Sequence, residues 1–265
     1  MHLLDVLQQR FPDSSKTTLR QMLQTNRVRV NGTTERNAKR PIEPADRVEI
    51  GSKGEIADPR VTILYEDADL IVIDKAAGLL TVASPTETEE TAVALLGVNR
   101  VHVVHRLDRD CSGVLVFAKD ADMRERLQAL FASHDIDRVY VAIIHGQLAE
   151  PTGTFRSYLT EDSSLRVKSA SKGKEAITHY RTLASGPRYT MLEVTLETGR
   201  RNQIRVHLAE AGHPIVGDTM YGKDRENPLG RLALHARQLG FRHPGTGKKL
   251  MFEVPIPQAF RDLKL

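Results

Sequence analysis

Residues 105–113 carry the residue types in this chain that are best suited to chemistry. Their sequence is HRLDRDCSG, in which Asp108 lies between Arg106 and Arg109, ahead of a Ser-Gly turn and an apolar run at 114–118. The two guanidinium groups favour a negative charge on Asp108, which would make it a nucleophile or a charge stabiliser near neutral pH. They also attract phosphate, so the pattern points to a nucleic acid as the target. An exposed turn with an ion pair has the same local pattern, and the segment alone does not separate the two.

Strands dominate the elements that must hold this segment in place. Apolar or alternating runs predict strands at residues 61–65, 70–73, 113–118, 139–145, 176–183, 190–196 and 249–254. Apolar spacing predicts a helix at about 121–134, glycines bound a second helix at 202–210, and residues 232–239 fit either a strand or a helix. Because the strand–helix alternation of a doubly wound sheet is missing, we expect an α+β fold with a mixed, mainly antiparallel sheet.

The first 51 residues are predicted to form a small unit with its own charge. They predict two short helices, the second capped by Ser15, then a Val28-Arg29-Val30 strand, an Asn31-Gly32 turn and a strand at 47–50. Residues 1–53 hold ten Lys or Arg against six Asp or Glu, whereas the rest of the chain balances at 28 against 28. A basic unit on a neutral body predicts a module that binds a polyanion. We place a linker at 52–60 and the body at 61–265.

Composition bears on the class and the location of the protein. Hydrophobic residues make up 40% and charged residues 27%, as in a globular protein, and no run of eighteen apolar residues could span a membrane. The single cysteine, Cys111, excludes an internal disulfide and a cysteine-based zinc site. Because the N-terminal residues lack a secretory signal pattern, we expect a cytoplasmic location.

The histidines raise the alternative of a metal site. His102, His105 and Asp108 follow one another at intervals of three, which on a helix would bring them to one face, as in a hydrolytic metal centre. Residues 101–104 favour a strand instead, and a period of three does not align on a strand. We therefore expect no metal.

Four groups of residues, in order along the chain, resemble the pseudouridine synthases of the ribosomal-large-subunit (RluA-like) type. The likeness covers residues 61–260. The first group is HRLD with SG at 105–113, and the second is YVA at 140–142 followed by Gly146. The third is TGR, QIR and GHPIVGD at 198–218, and the fourth is LHA with HPGTG at 234–247. Residues 1–51 resemble the small RNA-binding module named after ribosomal small-subunit protein four (S4). The resemblance implies an α+β catalytic domain of pseudouridine synthase type, preceded by a small α/β-type S4-like RNA-binding domain.

The same resemblance implies roles for individual residues. Asp108 matches the catalytic nucleophile, Tyr140 the tyrosine that stacks on uracil, and Arg205 the arginine that pairs with the catalytic carboxylate. Arg106 matches a residue implicated in displacing the target base. Ile204 matches an apolar residue that lines the uracil pocket, although plain helix core would explain it equally well.

The implied activity is isomerisation of uridine in RNA to pseudouridine, on a nucleotide flipped out of its stack. The leaving uracil stays in the site, so the reaction needs no hydrolytic water, redox cofactor or metal. The implied partner is RNA, with large-subunit rRNA ahead of tRNA, and the enzyme would act as a monomer. The alternative is a non-catalytic RNA-binding or ribosome-assembly protein of the same architecture, which would have no need of Asp108.

Three positions depart from the family's pattern. Cys111 stands where threonine is usual before Ser-Gly, Asn202 stands where histidine commonly precedes Gln203, and Ala76-Ala77 replaces a proline-containing turn. These departures leave the nucleophile, the tyrosine and the arginine in place. They bear on the shape of the pocket and on the choice of substrate.

Overall fold

The N-terminal residues fold into two helices and a small sheet. The computed structural model describes residues 1–24, 27–51, 58–83, 90–96, 101–162, 166–223 and 225–265. Helix α1 spans Leu3–Arg10 and α2 spans Lys16–Gln24. The side chain of Ser15 accepts a hydrogen bond from the backbone N–H of Thr18, so Ser15 caps α2 as predicted.

Strands β1 (Val28–Val30), β2 (Thr33–Thr34) and β3 (Val48–Ile50) form an antiparallel sheet in the order β2-β1-β3. Asn31 and Gly32 have φ values of 54° and 79°, the left-handed pair that a tight hairpin turn requires. The helices and the sheet share a core made of Leu3, Leu7, Leu19, Met22, Leu23, Val28, Val30 and Val48. The front unit therefore buries its own apolar residues. Of the predicted linker, residues 52–57 lie outside the described residues.

The body is built on one large sheet. Its strands are β4 (Val61–Glu66), β5 (Leu70–Lys75), β6 (His102–Val103), β7 (Ser112–Ala118), β8 (Asp137–His145), β9 (Thr152–Glu161), β10 (Val167–Ala170), β11 (Lys174–Ser185), β12 (Tyr189–Leu196), β13 (Leu234–Arg242) and β14 (Lys249–Glu253). Their order is β10-β9-β11-β12-β8-β13-β7-β5-β4, with β14 on β13 and β6 on β7. Within the described chain β13 pairs with β7 in parallel and the other strand pairs are antiparallel, so the predicted mixed, mainly antiparallel sheet is confirmed.

In the part of the body that the structure describes, four helices accompany the sheet: α3 (Ala92–Leu95), α4 (Ala121–Ala132), α5 (Gln203–Glu210) and α6 (Gln258–Asp262). Helix α4 buries Met123 and Leu127 against β5 and β7, and α5 adds Ile204 and Leu208 to the larger core of the body. The ambiguous residues 232–239 belong mostly to the strand β13. Among the helices in the described ranges, none is long and apolar enough to cross a membrane.

Strand β7 lies at the centre of the body and carries the end of the segment at 105–113. All of its residues are buried, because Leu115 and Phe117 enter one core of the body on one face and Val114 and Val116 enter the other core on the opposite face. Strand β5 pairs with one edge of β7, and β13 pairs with the start of the other. At the start of β7, Gly113 has a φ of 115°, and a Cβ placed there would lie 2.1 Å from the carbonyl oxygen of Ala236. Glycine is therefore required where the parallel pair β7–β13 begins.

Candidate active site

Asp108 lies in the loop between β6 and β7, and the segment after β5 holds this loop in place. The hydroxyl of Thr81 donates to the carbonyl of Leu107 at 2.9 Å and accepts from the N–H of the same residue at 3.2 Å. The N–H of Gly78 donates to the carbonyl of Arg109 at 2.9 Å. Both neighbours of Asp108 are therefore fixed by their backbone, which limits how far its carboxylate moves.

Lys75 is buried beneath the same loop. Its ammonium group donates to the carbonyls of Ala76 at 2.9 Å, Leu79 at 2.7 Å and Arg109 at 3.1 Å. Burial lowers the pKa of Lys75 to about 8, although nearby Cys111, Asp110 and Asp108 oppose this shift. A single cation thus ties the end of β5 to the loop that carries Asp108.

The carboxylate of Asp108 is paired with an arginine from α5. Nη1 of Arg205 donates to Oδ2 of Asp108 at 3.0 Å, while Nε and Nη2 donate to the two oxygens of Asp218 at 2.7 and 2.8 Å. Burial opposes the charge on Arg205, but the bonds and charges of Asp218 and Asp108 raise its pKa above the ordinary value. Asp218 is itself fully buried and also accepts the N–H groups of Met220 and Tyr221. Arg205 is therefore held by one carboxylate and presented to another.

Asn202 completes the frame around Arg205. It precedes α5 with a φ of 52°, a left-handed conformation that asparagine tolerates better than most residues. Its side-chain oxygen accepts from Nη1 of Arg205 at 3.1 Å, and its amide group donates to the hydroxyl of Tyr221 at 3.3 Å. The guanidinium of Arg205 also lies 5.3 Å above the ring of Tyr221. Asn202, which stands where histidine is common, therefore contacts Arg205 directly.

All five residues predicted for the site line one cavity. Asp108 and Arg106 come from the loop, Tyr140 from β8, and Ile204 and Arg205 from α5; Leu107, Cys111, Leu196, Arg200, Asn202, Gln203 and Leu234 complete the wall. Arg106 is exposed at the rim, whereas Ile204 is buried. Burial raises the pKa of the Tyr140 hydroxyl well above its usual value, so the ring presents a neutral face. The cavity therefore combines a carboxylate–guanidinium pair with apolar and aromatic walls.

Cys111 differs from the usual threonine without adding a reactive group. Its thiol is buried, and burial raises its pKa to about 12, so the thiolate form is disfavoured. It lines the cavity as a small apolar side chain.

Sequence reasoning misses two residues of the site, Lys75 and Asp218. Lys75 follows an apolar run and carries no chemical pattern of its own, whereas Asp218 ends the GHPIVGD motif without a role being predicted for it. Their contacts join segments 34 and 13 residues apart along the chain, to Arg109 and Arg205 respectively. The available signal is residue type: a lysine and an aspartate next to apolar runs need partners when they are buried.

The arrangement of histidines does not favour a metal centre. His102 lies in the strand β6, so the helical face that would join it to His105 and Asp108 does not exist. Among the described residues, Asp67, Asp69 and His243 form a cluster of metal-ligating types. However, Nδ1 of His243 accepts the N–H groups of Gly245 and Thr246, which assigns the proton to Nε2, 3.1 Å from Asp67. An imidazole nitrogen that carries the proton offers no lone pair to a metal.

Comparisons with known proteins agree on one family. Residues 69–210 match the family model described as RNA pseudouridylate synthase. An uncharacterised RNA pseudouridine synthase of Bacillus subtilis is 33% identical over 95% of this chain and 89% of its own. The ribosomal large subunit pseudouridine synthase D of Pseudomonas aeruginosa is 34% identical over 95% of this chain and 87% of its own. A solved human structure, RNA pseudouridylate synthase domain containing 4, covers 76% of this chain and 90% of its own, with a TM-score of 0.62 and 25% identity.

Proposed function

This chain belongs to the RNA pseudouridylate synthase family, and we propose that it isomerises uridine in large-subunit ribosomal RNA with Asp108 as the nucleophile. One observation carries the assignment of roles: Arg205 presents an N–H to Asp108 at 3.0 Å inside a cavity that Tyr140 and Ile204 also line. A carboxylate held by a guanidinium beside an aromatic platform suits a reaction on a planar base.

Access to the base requires that the uridine leave its stack, which costs a few kcal/mol in a duplex. Tyr140 would recover part of this cost, because stacking on an aromatic ring is worth about 1–3 kcal/mol per base. Ile204 would cover the uracil with an apolar surface. Arg106, which is exposed at the rim, would occupy the space that the base leaves.

The chemical change is a transfer within one nucleotide. The bond between N1 of uracil and C1′ of ribose breaks, the uracil turns, and its C5 bonds to the same C1′. C5 loses its proton and N1 takes one up, so the product is an isomer of the uridine. Asp108 would act on the sugar or the base from the fixed direction that Arg205 imposes. Arg205 would also supply a positive charge near the negative charge that develops on the uracil when the bond breaks.

The substrate assignment rests on the relatives. Several similar proteins are named ribosomal large subunit pseudouridine synthase D, and each covers most of this chain. Large-subunit rRNA is therefore the proposed substrate, with tRNA as the second candidate. We further propose that the chain acts as a monomer in the cytoplasm and needs neither a cofactor nor a metal.

We propose that residues 1–51 form an S4-like RNA-binding domain. Residues 52–60 would be the linker, and residues 61–265 the catalytic domain. Support comes from the separate core of the front unit and from its surplus of basic residues. On α2, Lys16 and Arg20 are exposed, where they could meet phosphate groups.

The test is release of label from C5 of uridine in RNA incubated with the protein. We expect release with the native chain and none with Asp108→Asn, because the neutral amide keeps the shape of the side chain but is a poor nucleophile. The affinity for RNA should stay nearly unchanged in this variant.

The matched control is Asp110→Asn, which removes a carboxylate from an exposed position in the same loop. This variant should release label like the native chain. Turnover by Asp108→Asn would reject the nucleophile. Tight RNA binding without release by the native chain would favour the non-catalytic RNA-binding protein.

A further inference from the structure

A second, larger cleft opens beside the cavity of Asp108. The two share Arg106, Asp108, Tyr140, Leu196, Arg200 and Asn202, and the cleft continues past Arg138, Arg201, His134 and Phe131. Four arginines line it; Arg201 is paired with Glu161 at 2.6 Å, and the carboxylate of the lining, Asp108, is already paired with Arg205. The wall of this cleft therefore carries excess positive charge.

Arg138 is the unusual member of this group. It is only 5% exposed, yet the described residues place no carboxylate within ion-pair distance of it. Its Nη2 donates to the carbonyls of Leu196 and Glu197 at 3.3 and 2.7 Å, and its Nε has no hydrogen-bond partner among the described residues. Burial lowers the pKa of Arg138, and the nearby charge of Arg200 adds to this effect. A buried cation without an anion is costly, so its presence calls for an explanation.

The rings and the glycine around Arg138 are uncharged and leave its guanidinium close to the cleft. Burial lowers the pKa of His105 to about 3, so the imidazole that stacks on Phe131 at 4.5 Å is neutral. The guanidinium of Arg138 lies over the ring of the same Phe131, 5.6 Å from its centroid. A Cβ at Gly199 would lie 2.4 Å from Nη1 of Arg138, so the absence of a side chain at 199 makes room for the guanidinium.

We propose that Arg138 and Arg200 form a subsite for one phosphodiester group of the RNA strand that flanks the flipped uridine. Arg138 supplies a buried positive charge beneath the wall of the cleft, and Arg200 supplies an exposed guanidinium at its rim. A phosphate in the cleft would neutralise Arg138, whose field is weakly screened because of its burial. The position of the subsite next to Asp108 would fix the strand while the base enters the cavity. The identity of the ligand as RNA rests on the proposed function.

The test uses the full chain and a series of short single-stranded RNAs, each with a single uridine and one neutral methylphosphonate linkage at a different position. For the native chain, we expect one linkage next to the uridine to weaken binding when it is neutral. For Arg138→Met, which keeps the apolar stem but removes the charge, neutralising that linkage should have no further effect. The salt dependence of binding to the unmodified RNA should fall by about one phosphate contact, a slope change of roughly 0.7 for a single strand.

Two variants separate a phosphate contact from a structural role. Arg138→Lys keeps the charge and should restore the response to the neutral linkage. Arg181→Met removes an exposed arginine that is paired with Glu193 outside both cavities and should leave all affinities unchanged. If Arg138 only braces the carbonyls of Leu196 and Glu197, Lys and Met will weaken every RNA of the series equally, which overturns the subsite. Label release is measured separately: a native chain that shows the linkage effect but no release refutes the proposed function and leaves the anion subsite standing.

Discussion

The orientation of Asp108 depends on a residue that does not line the cavity. Asp218 occupies Nε and Nη2 of Arg205, so Arg205 cannot rotate without breaking two short hydrogen bonds. The remaining Nη1 then has a defined place, 3.0 Å from Asp108. Because Asp218 is fully buried, solvent ions screen its ion pair with Arg205 only weakly. We therefore treat Asp218 as a positioning residue for the carboxylate of Asp108.

The variant Asp218→Asn tests this arrangement at the scale of a single side chain. It keeps the shape but leaves the guanidinium of Arg205 without its main counter-charge. Removing one partner of a buried pair costs about 3–5 kcal/mol of unfolding free energy. We expect a cost near ~3 kcal/mol, because the amide oxygen of Asn can still accept one hydrogen bond from Arg205. We expect kcat for label release to fall strongly while KM for RNA changes little, and urea unfolding to show the decrease in stability.

Glu193→Gln is the control for Asp218→Asn, because Glu193 is half-buried and pairs with the partly exposed Arg181 and Arg237. Such a pair is worth less than about 1 kcal/mol, and it lies outside the cavity. Full kcat in Asp218→Asn would show that Arg205 does not need Asp218 to orient Asp108.

At the scale of elements, the loop between β6 and β7 is held by the end of β5, and Lys75 makes this junction sensitive to pH. The folded chain holds the pKa of Lys75 at about 8, below the ordinary 10.5. Between these values the unfolded chain binds a proton that the folded chain does not, so the unfolding free energy rises with pH in this window. The gain attributable to Lys75 approaches about 3 kcal/mol when titration is complete.

The measurement compares the native chain with Lys75→Met, which cannot titrate, by urea unfolding from pH 7 to pH 10.5. In the difference between the two unfolding free energies, the contributions of the other titrating groups cancel. It should grow in favour of the native chain as pH rises above about 8. A difference that stays constant, or that shrinks, would contradict the lowered pKa.

Gly113 tests the start of the parallel pair β7–β13. In Gly113→Ala the new Cβ would lie 2.1 Å from the Ala236 carbonyl, so the two strands must separate. We expect a decrease of about 4 kcal/mol or more in unfolding free energy, measured by urea unfolding, and loss of label release with it. Gly247→Ala is the matched control: its φ of 71° is also left-handed, but a Cβ there meets nothing within 4 Å. It should cost about 1–2 kcal/mol, and a similar cost in both variants would argue against the close approach.

The sequence predicts the elements whose apolar pattern decides their structure. The buried run of β7 and the helical spacing of α4 predict these elements to within a few residues. Strands β9 and β10 escape prediction, because β9 alternates exposed and half-buried residues and lacks an apolar run. Residues 232–239 are ambiguous since a mostly buried strand has no period of two, and only pairing with β7 and β8 decides them. The motif at 105–113 reveals Asp108 and Arg106, whereas the roles of Lys75 and Asp218 depend on contacts that no local pattern encodes, even though Asp218 ends the GHPIVGD motif.

At the scale of the whole molecule, the front unit and the body meet through charged side chains. Glu90 pairs with Arg36 of the front unit at 2.5 Å and also with Arg60 of the body. Arg60 in turn forms a bidentate pair with Asp58, near the end of the predicted linker. The two units have separate hydrophobic cores, so the surface of the front unit can be changed without disturbing the cavity of Asp108.

The exposed cations of α2 provide the test of this division. The double variant Lys16→Gln with Arg20→Gln removes two positive charges from the surface of the front unit and touches no residue of its core. If α2 binds RNA phosphates, affinity for a folded rRNA fragment should weaken, and the salt slope should fall by roughly 0.9 for each duplex phosphate that is no longer neutralised. Because the cavity is unchanged, kcat at saturating RNA should stay at the native value. Lys264→Gln removes an exposed charge at the other end of the chain and should leave the salt slope as it is. An unchanged slope in the double variant would mean that these cations of the front unit do not bind RNA phosphates, and the catalytic cleft would then have to supply the affinity.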